Sequence, residues 1–98
     1  MTIENKKDAN KLTLTIKGRL DTSTAPDLEG ALKQSLDGVT ELILDIEKLE
    51  YISSAGLRVL LTAQKTMSKQ GSMKLINVCE EIMDIFELTG FIDILTIE

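Results

Sequence analysis

The sequence predicts an α/β fold: a mixed, mostly parallel β-sheet of four to five strands with about three to four helices. Three observations carry that expectation. Strand-like and helix-like stretches follow one another in the order β-α-β-α-β-α-β, and such alternation implies parallel strands joined by right-handed crossovers. The 98 residues suit one domain, residues 1–98, and are too few for two. Apolar residues make up 43% and charged residues 28%, the balance of a soluble globular protein.

The elements follow in chain order. A short strand near Thr2–Asn5 precedes the first clear one. Lys11–Lys17 alternates strictly, with Leu12, Leu14 and Ile16 on one face and Thr13, Thr15 and Lys17 on the other, so it reads as a half-buried strand stopped by Gly18. Thr24–Asp37 reads as a helix whose inner face is Leu28, Ala31, Leu32 and Leu36. Thr24 suits its N-cap with Asp27 at N3, Pro26 sits in the first turn, and Gly38 is the stop. Leu42–Ile46 is a nearly continuous apolar run, expected mid-sheet and covered on both faces. Ser54–Lys69 reads as a second helix ending near Gly71, Met73–Val78 as a strand, and Glu80–Leu88 as a third helix closed by Gly90. Ile92–Ile97 supplies a last strand. Only three helices are available, so one sheet face stays open or meets the N-terminal segment.

Composition excludes several functions. Eleven basic and sixteen acidic residues leave a net charge of −5, which argues against nucleic acid and anionic membrane surfaces. Aromatics are 3%, too few for base-stacking platforms. Histidine is absent, so no Ser–His–Asp or Cys–His arrangement and no His-ligated metal site exists within the chain. A lone cysteine builds neither an internal disulfide nor a thiolate zinc site, and fits a reducing compartment. Met1–Asn10 carries no apolar signal region, and no run approaches the ~18 residues of a membrane span. The expectation is a cytoplasmic protein with no catalytic residues, metal or cofactor and no membrane insertion.

The informative stretch is Leu49-Glu50-Tyr51-Ile52-Ser53-Ser54-Ala55-Gly56-Leu57-Arg58. Two serines stand at the start of an apolar helix, where free N–H groups and the positive end of the dipole stabilise an anion such as phosphate. The plain alternative is that Ser53 or Ser54 is only an N-cap. Cys79 near the third helix, with Met67, Met73 and Met83, reads as packing.

The stretch resembles the signature of STAS-domain proteins, the anti-sigma factor antagonists, in which roughly Asp-Ser-Ser/Thr-Gly-Leu opens the second helix. Tyr51-Ile52 and Gly56-Leu57 carry the match. Gly18-Arg19-Leu20-Asp21 is similar to the family's Gly-x-Leu/Ile-Asp, and Leu88-Thr89-Gly90-Phe91 to its late Leu-Thr-Gly-Leu/Phe. The three motifs lie in the right order across nearly the whole chain. Two departures stand out: Ser53 replaces the usual Asp, and Ala55 replaces the following Ser/Thr.

The resemblance implies a STAS-like domain and a partner-switching regulator rather than an enzyme. Unphosphorylated, such a protein binds an anti-sigma factor that is also a serine kinase, and so releases a sigma factor. The kinase then phosphorylates a serine two before the glycine, Ser54 here with Ser53 as the alternative, and a serine phosphatase reverses the step. Asp21, Ser53, Gly56 and Arg58 are the expected recognition residues. Asp21 reads otherwise as a turn or capping acid. Arg58, one turn after Ser54, reads otherwise as a solvated helix residue. The alternative function is a non-phosphorylated STAS subunit of a membrane transport ATPase complex. A hydrolase using Ser54 as nucleophile ranks last, since it needs a base and only Lys or a carboxylate could serve.

Overall fold

The alternation of Lys11–Lys17 does build a strand, but one longer than expected. In a computed structural model describing residues 1–98, β1 spans Thr2–Asp8 and β2 spans Lys11–Leu20. The two form an antiparallel hairpin, with Thr2 opposite Lys17 and Asp8 opposite Lys11. Its tight turn holds Ala9 at φ 55°, a left-handed conformation that an alanine pays for in strain. Gly18 does not stop β2. It takes φ 94° inside the strand and donates its N–H to Lys48 O at 3.0 Å, and there β2 changes neighbours.

The first helix, α1, covers Ala25–Ser35, and β3 covers Glu41–Asp45 parallel to β2. Next comes β4, Leu49–Ile52, which is parallel to the last residues of β2. A long helix α2, Ser54–Gln70, leads to β5, Ser72–Ile76, parallel to β3, and then to α3, Glu80–Thr89. Strand order is β1-β2-β3-β5, with β4 continuing the β3 side of β2. The sheet is mixed and mostly parallel, with five strands and three helices, as expected.

The expected last strand is absent, and an unexpected one, β4, takes part in the sheet. Ile92–Ile97 is not a strand: Phe91–Asp93 makes a 3₁₀ turn after the left-handed Gly90, and only Ile97 bridges Leu75. Leu95 is buried there, so the apolar run anchors the segment without pairing it. β4 did not stand out as a strand because it breaks alternation. Gly18 pairs Leu49 while Arg19 pairs Tyr51, so Glu50 is an extra residue in a bulge. Leu49 and Ile52 thereby both face inward, three residues apart.

Twenty-four buried apolar residues from sheet and helices form one core, on one face of the sheet. Ile43 is buried outside that cluster, on the opposite face beside Thr13 and Lys74. That face stays open. β3 is therefore central but helix-covered on one side only, and β1 extends the sheet rather than covering it. Met67 and Met73 are core, while Met83 is half-buried.

Candidate functional site at the start of the second helix

Leu20 and Ile52 are the last paired residues of β2 and β4, and Ser53 N–H donates to Leu20 O at 2.9 Å. The Asp21 loop and the Ser53–Ser54 segment therefore leave the sheet side by side at its C-terminal edge, where open parallel sheets build their sites. The two sequence motifs, far apart in the chain, meet here.

The serines divide into two kinds. Ser53 is the N-cap of α2, extended at φ −94° and ψ 175°, and its Oγ accepts from Gly56 N–H at 3.3 Å. Ser54 is the first helical residue, exposed, with its hydroxyl unbonded to the chain. The position that the family resemblance fills with Asp is thus the cap, and Ser satisfies the same helical N–H as Asp does. No acid lies in the first turn of α2, so the dipole end beside Ser54 carries no neutralising charge.

Gly56 holds this helix start against the sheet. A Cβ there would lie 2.7 Å from Leu20 Cγ and 2.9 Å from Ile52 Cγ1. It is buried, which makes its part in the site one of close approach. Gly71 works alike at the other end of α2, where a Cβ would run into Thr40 O.

Asp21 is the capping acid of the turn before α1. Its Oδ1 accepts from Ser23 N at 3.0 Å, Ser23 Oγ at 2.8 Å and Thr24 N at 3.2 Å. The Ser23 hydroxyl bond foremost lowers its pKa from 3.8; partial desolvation opposes, and the Thr24 and Ser23 amides and the Thr24 hydroxyl add to the lowering. Thr24, the expected N-cap, makes no cap bond to α1. Its Oγ1 instead accepts from Asp21 N and donates to Arg19 O, both at 2.8 Å.

One contact between two motif residues had no signal in the sequence. The Arg19 guanidinium lies 4.4 Å from the Tyr51 ring centroid, with Nε 3.7 Å from Asp21 Oδ2. Tyr51 is 38% exposed. Only the bulged β2–β4 register brings this pair together. Arg58 is exposed on α2 and lines a cleft of about 230 Å³ between α1 and α2. Ala25, Pro26, Ala55 and Val59 are among its apolar lining, with Thr22 and Glu29 also at the wall. Cys79 caps α3 by position, with Sγ 4.0 Å from Leu49 O. No helix is long and apolar enough to cross a membrane.

This chain is a helix-backed mixed sheet with a serine-bearing helix start at its C-terminal edge, and the STAS domain family model matches residues 2–98. The chain belongs to that family. It is similar to the anti-sigma-B factor antagonist of Bacillus subtilis, 31% identical over 96 residues, which covers 97% of this chain and 88% of that protein. It falls with the anti-sigma factor antagonists. The fold matches the crystal structure of an anti-sigma factor antagonist from Mycobacterium paratuberculosis with a TM-score of 0.87 at 22% identity, over 98% of this chain and 83% of that one. It also matches the Bacillus cell fate determinant SpoIIAA in its phosphorylated form, TM-score 0.76 at 16% identity, over 99% and 91%.

Proposed function

We propose that this chain is a partner-switching regulator. Unphosphorylated, it binds an anti-sigma factor serine kinase and so frees a sigma factor; phosphorylation at Ser54 ends the complex, and a serine phosphatase restores it. It acts in the cytoplasm as binding partner and substrate, not as catalyst. The observation that carries the reading is the division of the serines. Ser53 is engaged as the cap of α2, while Ser54 presents a free, exposed hydroxyl one residue on. Asp21, in the loop that leaves the sheet beside Ser53, and Arg58, one turn further along α2, serve as recognition residues, and Gly56 sets the height of the helix start.

The physics of the switch follows from that placement. A phosphate adds about −1.5 to −2 charge and three acceptors. On this chain it meets the N-terminus of α2, which favours an anion by roughly 0.3–1 kcal/mol. In an interface built around a neutral hydroxyl it is desolvated, at a cost of about 2–5 kcal/mol of affinity.

The test is incubation with the cognate kinase and ATP, followed by mass spectrometry and calorimetric titration of the same kinase. One phosphate is expected, lost in Ser54→Ala. Ser54→Asp should fold like the parent and bind far more weakly, and Ser54→Ala should bind as the parent does. Equal binding by Ser54→Asp and no phosphorylation would overturn the proposal in favour of the unphosphorylated transport-subunit reading. Phosphate kept in Ser54→Ala and lost in Ser53→Ala would move the acceptor to Ser53.

A further inference from the structure

The sheet ends at β1. β1 pairs with β2 alone, and every residue of it except Ile3 is exposed. Such a strand offers unpaired backbone N–H and C=O groups to another strand. Edge lysines ordinarily oppose that pairing, so what matters is where a given register puts them.

Side chains alternate faces with period two. Two copies paired antiparallel about a dyad perpendicular to the sheet must therefore set residues of like parity opposite one another, and the dyad passes through a single residue. Centred on Glu4, it opposes Glu4 to Glu4. Centred on Lys6, it opposes Lys6 to Lys6 and Glu4 to Asp8. Centring on Ile3 or Lys7 cuts the overlap short. Centred on Asn5, it pairs the whole of Thr2–Asp8. Glu4 then faces Lys6 twice, Ile3 faces Lys7, and Thr2 faces Asp8. Opposite charges across a strand pair are favourable and like charges unfavourable.

We infer that β1 joins β1 of a second copy, antiparallel and centred on Asn5, into one continuous sheet. Lys6 is suited to the contact, because it stands opposite Thr13 and has no acidic partner in its own chain, whereas Glu4 already meets Lys17 at 3.2 Å. The Lys7 stem covers the half-exposed Ile3. A contact of one short strand is small and so weak and concentration-dependent. β1 shares no residue with Ser54 or the α1–α2 cleft, so this association is independent of the proposed switch.

Sedimentation of the purified chain from about 10 µM to 1 mM tests the inference, because a small interface forms in this range. The mean mass should climb from one chain towards two. Lys6→Glu turns both attractive pairs into repulsive ones and should weaken association by about tenfold or more. Glu4→Lys should do the same, and the double exchange E4K/K6E should restore it. Thermal melts of each variant confirm that it is folded. A parent that stays monomeric at the highest concentration, or a folded Lys6→Glu variant that dimerises like the parent, overturns the inference.

Discussion

Gly56→Ala separates a structural glycine from a recognition glycine. The new Cβ would sit 2.7 Å from Leu20 Cγ, 2.9 Å from Ile52 Cγ1 and 3.1 Å from Leu20 Cδ2. Both neighbours are buried, Leu20 at 0% and Ile52 at 3% exposure, so neither side chain can swing into solvent. Overpacking of this kind costs about 1–3 kcal/mol. The gain in helix propensity offsets at most about 1 kcal/mol, and less in a first turn. The net loss is about 1–2 kcal/mol, or roughly 5–15 °C in melting temperature for a chain of this length. Urea unfolding and thermal melts measure it. Combining Gly56→Ala with Leu20→Ala makes room for the methyl, so the double variant should be more stable than the sum of the singles by about 1 kcal/mol. A Gly56→Ala variant as stable as the parent, with weakened partner binding, would refute the close-approach argument and return Gly56 to direct recognition.

Asp21→Ala should lower the melting temperature more than Asp21→Asn, since Asn keeps an acceptor for the Ser23 and Thr24 donors, and both should slow phosphorylation of Ser54. The pKa of Asp21 is depressed on folding, so its charge contributes stability above the unfolded value of 3.8 and loses it as pH falls through the lower folded value. The difference between parent and Asp21→Asn melts should therefore shrink in that acid range and stay constant at neutral pH. Ala9→Gly relieves the left-handed conformation at φ 55° and should stabilise the chain by about 0.5–1 kcal/mol, read as a higher urea midpoint.

The parts of the fold that follow from alternation and periodicity were legible in the sequence. β2 shows a strict polar–apolar alternation, and α2 and α3 show an apolar face closed by Gly71 and Gly90. β4 was hidden because a bulge at Glu50 destroys the period-two pattern that marks a strand. The tail after Gly90 misled for the opposite reason: Phe91, Ile92, Ile94, Leu95 and Ile97 look strand-like, yet the 3₁₀ turn leaves only one bridge to β5. At the site, the serine pair and its helix were readable. Which serine is the cap was not, because backbone geometry at Ser53 decides it. The Arg19–Tyr51 stack needed the register of the bulged strands, which no local pattern encodes.

Ser53 caps α2 at the position where the family resemblance has an aspartate, and that cap leads to a last prediction. The bond from Gly56 N–H to Ser53 Oγ is 3.3 Å long, at the weak end of the range for such bonds. Ser53→Ala should therefore cost about 0.5–1 kcal/mol, the low end for removal of an N-cap. Ser53→Asp keeps the acceptor and adds charge at a helix terminus with no acid in its first turn. It should be more stable than the parent by about 0.3–1 kcal/mol at low ionic strength, with the gain fading in salt. Both variants leave Ser54 as the free hydroxyl, so both should still take one phosphate from the kinase. Ser53→Ala frays the cap but leaves the Ser54 hydroxyl in place, so it should slow phosphorylation without abolishing it. Thermal melts at two salt concentrations and mass spectrometry of the phosphorylated products check each step. A Ser53→Ala variant that melts like the parent and takes no phosphate would reverse the assignment: Ser53 would then be the acceptor and its bond to Gly56 incidental.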